Sequence, residues 1–180
     1  MQKAGWKRTT LVSVLTLAVS FATGTAFAAY LGTGKWPSSS LRRCHLGSYA
    51  TNCSNAAATW SNGTDLTLGY DCTSLNFQTL GGNYGDNGYY GFAYICAGPN
   101  ESDCNHQTAW NGTYTYAEAR NNTYYLSSWT EAQRQFNCTH ELGHCWSLGH
   151  DIRTTSVMNT GQRSTTALDS GNVTDVNAKY

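Results

Sequence analysis

TEAQRQFNCTHELGHCWSLGH, residues 130–150, is the most informative stretch of this 180-residue chain. Thr130 and Gln133 stand three apart at its start, the pairing in which each side chain satisfies an orphan backbone amide at a helix N-terminus. A helix is therefore predicted over residues 130–146. Inside it, His140 and His144 point from one face with about 6 Å of rise between them, so both imidazoles can reach a single ion. His150 lies six residues beyond His144 and would face elsewhere on a continuing helix, so the chain has to turn after about Trp146 to bring it round. Three neutral imidazoles leave a fourth position for water, the arrangement of a catalytic rather than a closed structural zinc. Glu141 projects beside them, placed to take that water's proton. The bland alternative for two histidines four apart is an amphipathic helix with solvated or capped rings; the third histidine and the glutamate weigh against it. Cys145 is turned about 100° from its neighbour His144 on a helix, which suits packing or a disulfide better than a nucleophile.

Outward from this stretch, charge and cysteine usage narrow the class. The chain holds 11 Lys+Arg against 11 Asp+Glu, but Lys3, Lys7 and Arg8 all precede position 28, where there is no acid. The remaining 152 residues carry eight bases and eleven acids, a formal charge of −3. That argues against a nucleic-acid partner, whose footprint would be basic. Those three bases, an apolar run over residues 11–22 and the small-x-small Ala26-Phe27-Ala28 are the parts of a secretory signal peptide, predicted over 1–28. The run is shorter than the roughly 20 residues a bilayer crossing needs, so no membrane partner is expected. The mature chain, residues 29–180, is predicted to be one secreted domain in an oxidising compartment. Its seven cysteines leave at least one without an intramolecular partner. Cys96–Cys104 is the favoured bridge, closing a short turn, and Cys44–Cys53 a second expectation. Cys138 and Cys145 are about 10 Å apart along a helix, beyond disulfide reach.

Coarser signals place the other elements. Residues 50–60 (ATNCSNAAATW) suit a short helix stopped by Ser61-Asn62-Gly63, residues 65–71 alternate like a strand, and GGNYGDNG at 81–88 is a loop of tight turns. Residues 89–96 (YYGFAYIC) read as a strand, residues 122–126 (NTYYL) as another candidate, and residues 173–180 as a terminal helix. Asp86, with Asn83, Asn87 and nearby carbonyls, offers oxygen ligands for a calcium ion, although loops of this composition form turns more often than cages.

HELGHCWSLGHD, residues 140–151, resembles the HExxHxxGxxH(D) signature of the metzincin zinc endopeptidases, and Ser156-Val157-Met158-Asn159 resembles their Met-turn. Shorter pieces, Lys35-Trp36, the helix ending at Trp60, the strand at 89–95 and NVTDVNAKY at 172–180, are similar to matrixin-like catalytic domains. The resemblance implies an α+β zincin domain with a mixed twisted sheet, a long zinc-binding helix below a cleft, and a C-terminal subdomain after the third histidine. It implies that His140, His144 and His150 bind one catalytic Zn2+, that Glu141 is general base and acid, and that Met158 lines the floor. It further implies a monomer hydrolysing protein or peptide substrates, with the 89–95 strand as the rim on which an extended substrate pairs.

Three departures from the family pattern matter. Ser147 stands where the signature has glycine; either it takes the left-handed conformation at a cost of roughly 1 kcal/mol, or Gly149 makes the turn. Thr160 stands where some metzincins carry a tyrosine. His45 and His106 are too few for a second, structural zinc and read as surface or hydrogen-bonded residues. Two rivals stay open: a catalytically silent zinc-binding module, which would be expected to lose Glu141, and an adhesive secreted protein that needs no cleft.

Overall fold

The computed structural model describes residues 31–97, 104–105 and 111–180. Among them, strand β1 (Ser40–Gly47), helix α1 (Ala50–Gly63), strands β2 (Thr67–Tyr70), β3 (Phe77–Gly82), β4 (Gly91–Cys96), β5 (Cys104–Asn105) and β6 (Tyr116–Asn122), and helices α2 (Thr123–Leu126), α3 (Glu131–Cys145) and α4 (Ser170–Asn177) follow in chain order. The strands make one mixed sheet in the order β2-β1-β3-β6-β4-β5. β2, β1, β3 and β6 run parallel, and β4 is antiparallel to both β6 and β5. The architecture is α+β. His106, Ala26-Phe27-Ala28 and the rest of the proposed signal peptide lie outside the described residues.

Period-two alternation gives the sheet a core face carrying Leu41, Phe77, Ala93, Ile95, Ala117 and Ala119, all buried. The alanines of β6 are small because α3 packs directly over β6 and β4. On α1, Asn52, Cys53, Ala56, Ala57 and Trp60 are buried at helical spacing and face α3. The Trp60 indole donates to Thr139 O at 3.0 Å, and the Trp36 indole to Cys145 O at 3.0 Å, so two buried tryptophans are anchored on the backbone of α3. Replacing a buried Trp of this kind by Ala typically costs about 3–5 kcal/mol.

The predicted capping box of α3 is formed: Gln133 N donates to Thr130 Oγ1 at 3.3 Å, and Thr130 N to Gln133 Oε1 at 2.8 Å. The helix ends in a Schellman turn, with Ser147 N bonded to His144 O at 2.8 Å and Leu148 N to Gly143 O at 3.0 Å. Ser147 itself occupies the left-handed position, φ 68°. Its buried hydroxyl donates to Gly34 O at 2.8 Å and bonds the Tyr114 hydroxyl. Those two bonds offset the backbone strain and account for serine where glycine would be conformationally cheaper.

Several sequence expectations are corrected. Residues 122–126 are not a strand: β6 ends at Asn122, whose Oδ1 accepts Tyr124 N at 3.1 Å and starts α2. The terminal helix begins earlier than predicted because Asp169 caps it, accepting Asn172 N at 2.8 Å. Of the two expected bridges, Cys96–Cys104 is present. Cys44 pairs with Cys72 rather than Cys53, and Cys53 pairs with Cys138. Strand alternation turns Cys44 to the sheet face opposite Leu41, whereas Cys53 lies in the helix–sheet core with Leu41. Cys145 is the unpaired cysteine and is fully buried. Gly81 and Gly82, expected in a loop, end β3. In the loop that follows, Asn83 Oδ1 accepts Gly85 N and Asn87 Oδ1 accepts Tyr89 N within its own turns, while Asp86 accepts the Tyr125 hydroxyl of α2.

Two measurements check this account. Ser147→Gly should lower Tm, because relief of about 1 kcal/mol of left-handed strain is outweighed by about 1–3 kcal/mol from leaving buried polar partners unsatisfied; a raised Tm contradicts it. Titration with a thiol reagent should find no reactive thiol in the native protein and one per chain after unfolding without reductant.

Candidate metal centre

His140 and His144 project from the α3 face turned towards β4, and the Schellman turn after Trp146 returns the chain so that His150 joins them. One ring nitrogen from each histidine lies within 4.8 Å of those of the other two. This group could hold a metal ion. Two backbone carbonyls fix which nitrogen is offered: His140 Nδ1 is 2.8 Å from Val157 O and His144 Nδ1 is 2.7 Å from Leu148 O. A carbonyl only accepts, so each Nδ1 carries the proton and each Nε2 presents its lone pair. The two Nε2 atoms are 3.2 Å apart. Two lone pairs facing each other at that distance repel unless a cation sits near both, and the donor set is one that suits zinc. Burial lowers the pKa of His140 to about 4 and that of His144 well below the usual range, and it lowers His150 as well. All three rings are neutral, and therefore able to ligate, around pH 7.

Glu141 is 4% exposed, and its Oε2 has no hydrogen-bond partner among the described residues. Burial raises its carboxyl pKa to about 8. A buried carboxyl without a partner is costly, and a nearby cation would restore its ionisation. The group therefore fits a metal centre on two independent counts, the opposed lone pairs and the orphaned carboxylate oxygen.

The turn at residues 156–159 packs against α3. Met158 O accepts Asp151 N at 2.9 Å, Met158 N bonds Ser156 Oγ at 3.0 Å, and Val157 N bonds Asn172 Oδ1 at 3.2 Å. A Cβ on Gly143 would collide with the Met158 sulfur, so this glycine is what lets the turn press against α3. Arg153 ties the segment down through Asp151, at 2.5 Å from its Nε, and through Asp169 at 3.4 Å.

A cleft of about 650 Å³ opens over the three histidines and Glu141, walled by Tyr89 to Ala93 on one side and by Phe136, Asn137, Thr160 and Gly161 elsewhere. Sequence reading named the four central residues, and all four are together. His45 stands apart, buried and hydrogen-bonded to Thr79 Oγ1 at 2.7 Å and to Arg43 Nε at 3.1 Å. Sequence reading missed Gly91, Asn137 and Asn121. A Cβ on Gly91 would lie 2.7 Å from Glu141 Oε1 and 2.8 Å from Asn137 Nδ2, so only glycine lets β4 approach the carboxylate so closely. The signal for Asn137 was available, since it precedes Glu141 by four residues on the same helix face. Searches against protein-family models and against curated proteins found no match for the chain.

If the three histidines act as one ligand set, adding zinc to chelator-treated protein should raise Tm. The stabilisation should approach about 4 kcal/mol when free metal is about a thousand times Kd, and His150→Ala should abolish most of the increase. An equal rise in both proteins would exclude His150 from the set. Gly143→Ala should lower Tm through overpacking against Met158 by about 1–3 kcal/mol.

Proposed function

We propose that the protein is a secreted zinc endopeptidase of the metzincin type, with His140, His144 and His150 holding one Zn2+ and Glu141 acting as general base and acid. The observation that carries this reading is the partnerless Glu141 Oε2, buried beside three neutral imidazoles on the floor of an open cleft. Zinc bound there would supply Lewis acidity to a substrate carbonyl and to water. Glu141 is positioned to take a proton from water attacking a peptide carbonyl and to pass it to the departing amine.

The substrate is proposed to be an extended peptide lying along β4. Asn122 N bonds Tyr90 O at 2.9 Å, so by antiparallel alternation the backbone N–H and C=O of Gly91 and Ala93 point away from β6. β5 covers only Ile95 and Cys96 on that side among the described residues. The free backbone groups of Gly91 and Ala93 border the cleft and suit strand addition. Three disulfides fit an extracellular protein, and no helix among the described residues is long and apolar enough to cross a membrane. We propose a monomer, with the catalytic domain over residues 29–180 after removal of 1–28.

The purified chain, assayed on casein or gelatin with metal analysis in parallel, should carry about one zinc per molecule and digest the protein. Glu141→Gln should keep the zinc and lose about 10²–10⁴-fold in kcat. Undiminished digestion by this variant would refute the role of Glu141. Zinc binding without digestion by the wild type would favour a silent metal-binding module instead.

A further inference from the structure

A directional chain of side-chain amides runs from the sheet into the cleft. Asn121 is fully buried on β6, and its Nδ2 donates to Ala119 O at 3.4 Å and to Cys53 Sγ at 3.5 Å. Its Oδ1 is thereby turned to α3, where it accepts Asn137 Nδ2 at 2.8 Å. Asn137 Nδ2 also lies 3.5 Å from Tyr90 O. Both partners of that nitrogen are oxygens that can only accept, which fixes the amide orientation. Asn137 is 4% exposed and lines the cleft, and its side-chain hydrogen bonds to described residues are made by Nδ2. Each amide in the chain polarises the next, so the terminal oxygen is a better acceptor than an isolated one.

We infer that Asn137 Oδ1 accepts a hydrogen bond from a backbone N–H of the bound peptide, and that Asn121 is the positioning residue that aims it. The inference rests on the peptidase reading and specifies one contact of that same site. Asn137 precedes Glu141 by four residues, which is about 6 Å along α3. An extended peptide advances about 3.3 Å per residue, and Asn137 and Glu141 both approach Gly91 of β4, so the amide concerned lies within about two residues of the bond that is cut. The contact recognises backbone rather than a particular side chain. It suits an enzyme that selects extended, unfolded segments, because the corresponding N–H of a helix or sheet is already bonded.

The test uses a peptide that the wild-type enzyme cuts, together with analogues in which each non-scissile amide is replaced in turn by an ester, removing one N–H at a time. Kd is read by fluorescence anisotropy on zinc-loaded E141Q, and kcat/KM on the wild type. One ester within about two residues of the cut should weaken both by roughly three- to tenfold. In E141Q/N137L that ester should bind as well as the parent peptide, while esters at other sensitive positions keep their effect. Equal sensitivity in the presence and absence of Asn137 overturns the inference. So does an E141Q scan in which no amide near that position matters, a result that needs no change at Asn137 and stands even if N137L fails to fold. A zinc-loaded wild type that cuts no peptide overturns the peptidase reading and this contact together, whereas cutting with an unaltered ester pattern overturns the contact alone.

Discussion

Two backbone carbonyls, Val157 O and Leu148 O, determine what the HExxH helix can offer to a metal. By accepting the Nδ1 protons of His140 and His144 they turn both Nε2 lone pairs to one point. Neither carbonyl belongs to the regular part of α3. Leu148 O is delivered by the Schellman turn that also swings His150 back, and Val157 O by the tight turn that carries Met158 under Gly143. The conformation of about fifteen residues after the helix therefore decides whether its histidines act together. The buried Ser147 hydroxyl and the Arg153 ion pairs to Asp151 and Asp169 hold those residues in place.

Close approach is the second constraint. Gly91 lets β4 lie against the Glu141 carboxylate, Gly143 lets the methionine turn lie against the helix, and Ala117 and Ala119 let α3 settle on the centre of the sheet. Trp36, Trp60 and Trp146 fill the surrounding volume, two of them with an indole N–H on a backbone carbonyl of α3. Small residues at the contact and large ones around it produce a rigid floor beneath an open cleft.

The legible parts of the sequence were those with local signals. Thr130 and Gln133 announced the start of α3, the histidine spacing announced the cluster, and turn residues announced the loop after β3, although Gly81 and Gly82, read as part of it, end that strand. The centre of the sheet was not legible: β3 (FQTLGG) and β6 (YAEARNN) lack the aliphatic runs expected of buried parallel strands. Their polar residues pair with one another instead, with Gln78 Nε2 donating across to Glu118 Oε1 at 2.9 Å and Arg120 Nε donating along β6 to Glu118 Oε2 at 2.6 Å. The Asn122 misreading has a related cause. Beyond its local cap on Tyr124, its side chain serves Tyr84, Gly85 and Tyr89, a long-range role that no window of neighbouring letters contains. Cysteine connectivity was illegible for the same reason, since only the fold puts Cys53 against Cys138.

The Cys53–Cys138 bridge joins positions 85 apart in sequence, spanning most of the sheet and the whole rim of the cleft. A single nick anywhere between them would leave the two fragments covalently joined. Such a clipped molecule would migrate as one species on a non-reducing gel and part into two bands only with reductant. The three histidines and the tryptophan-filled core around them would meanwhile stay tethered to the severed half.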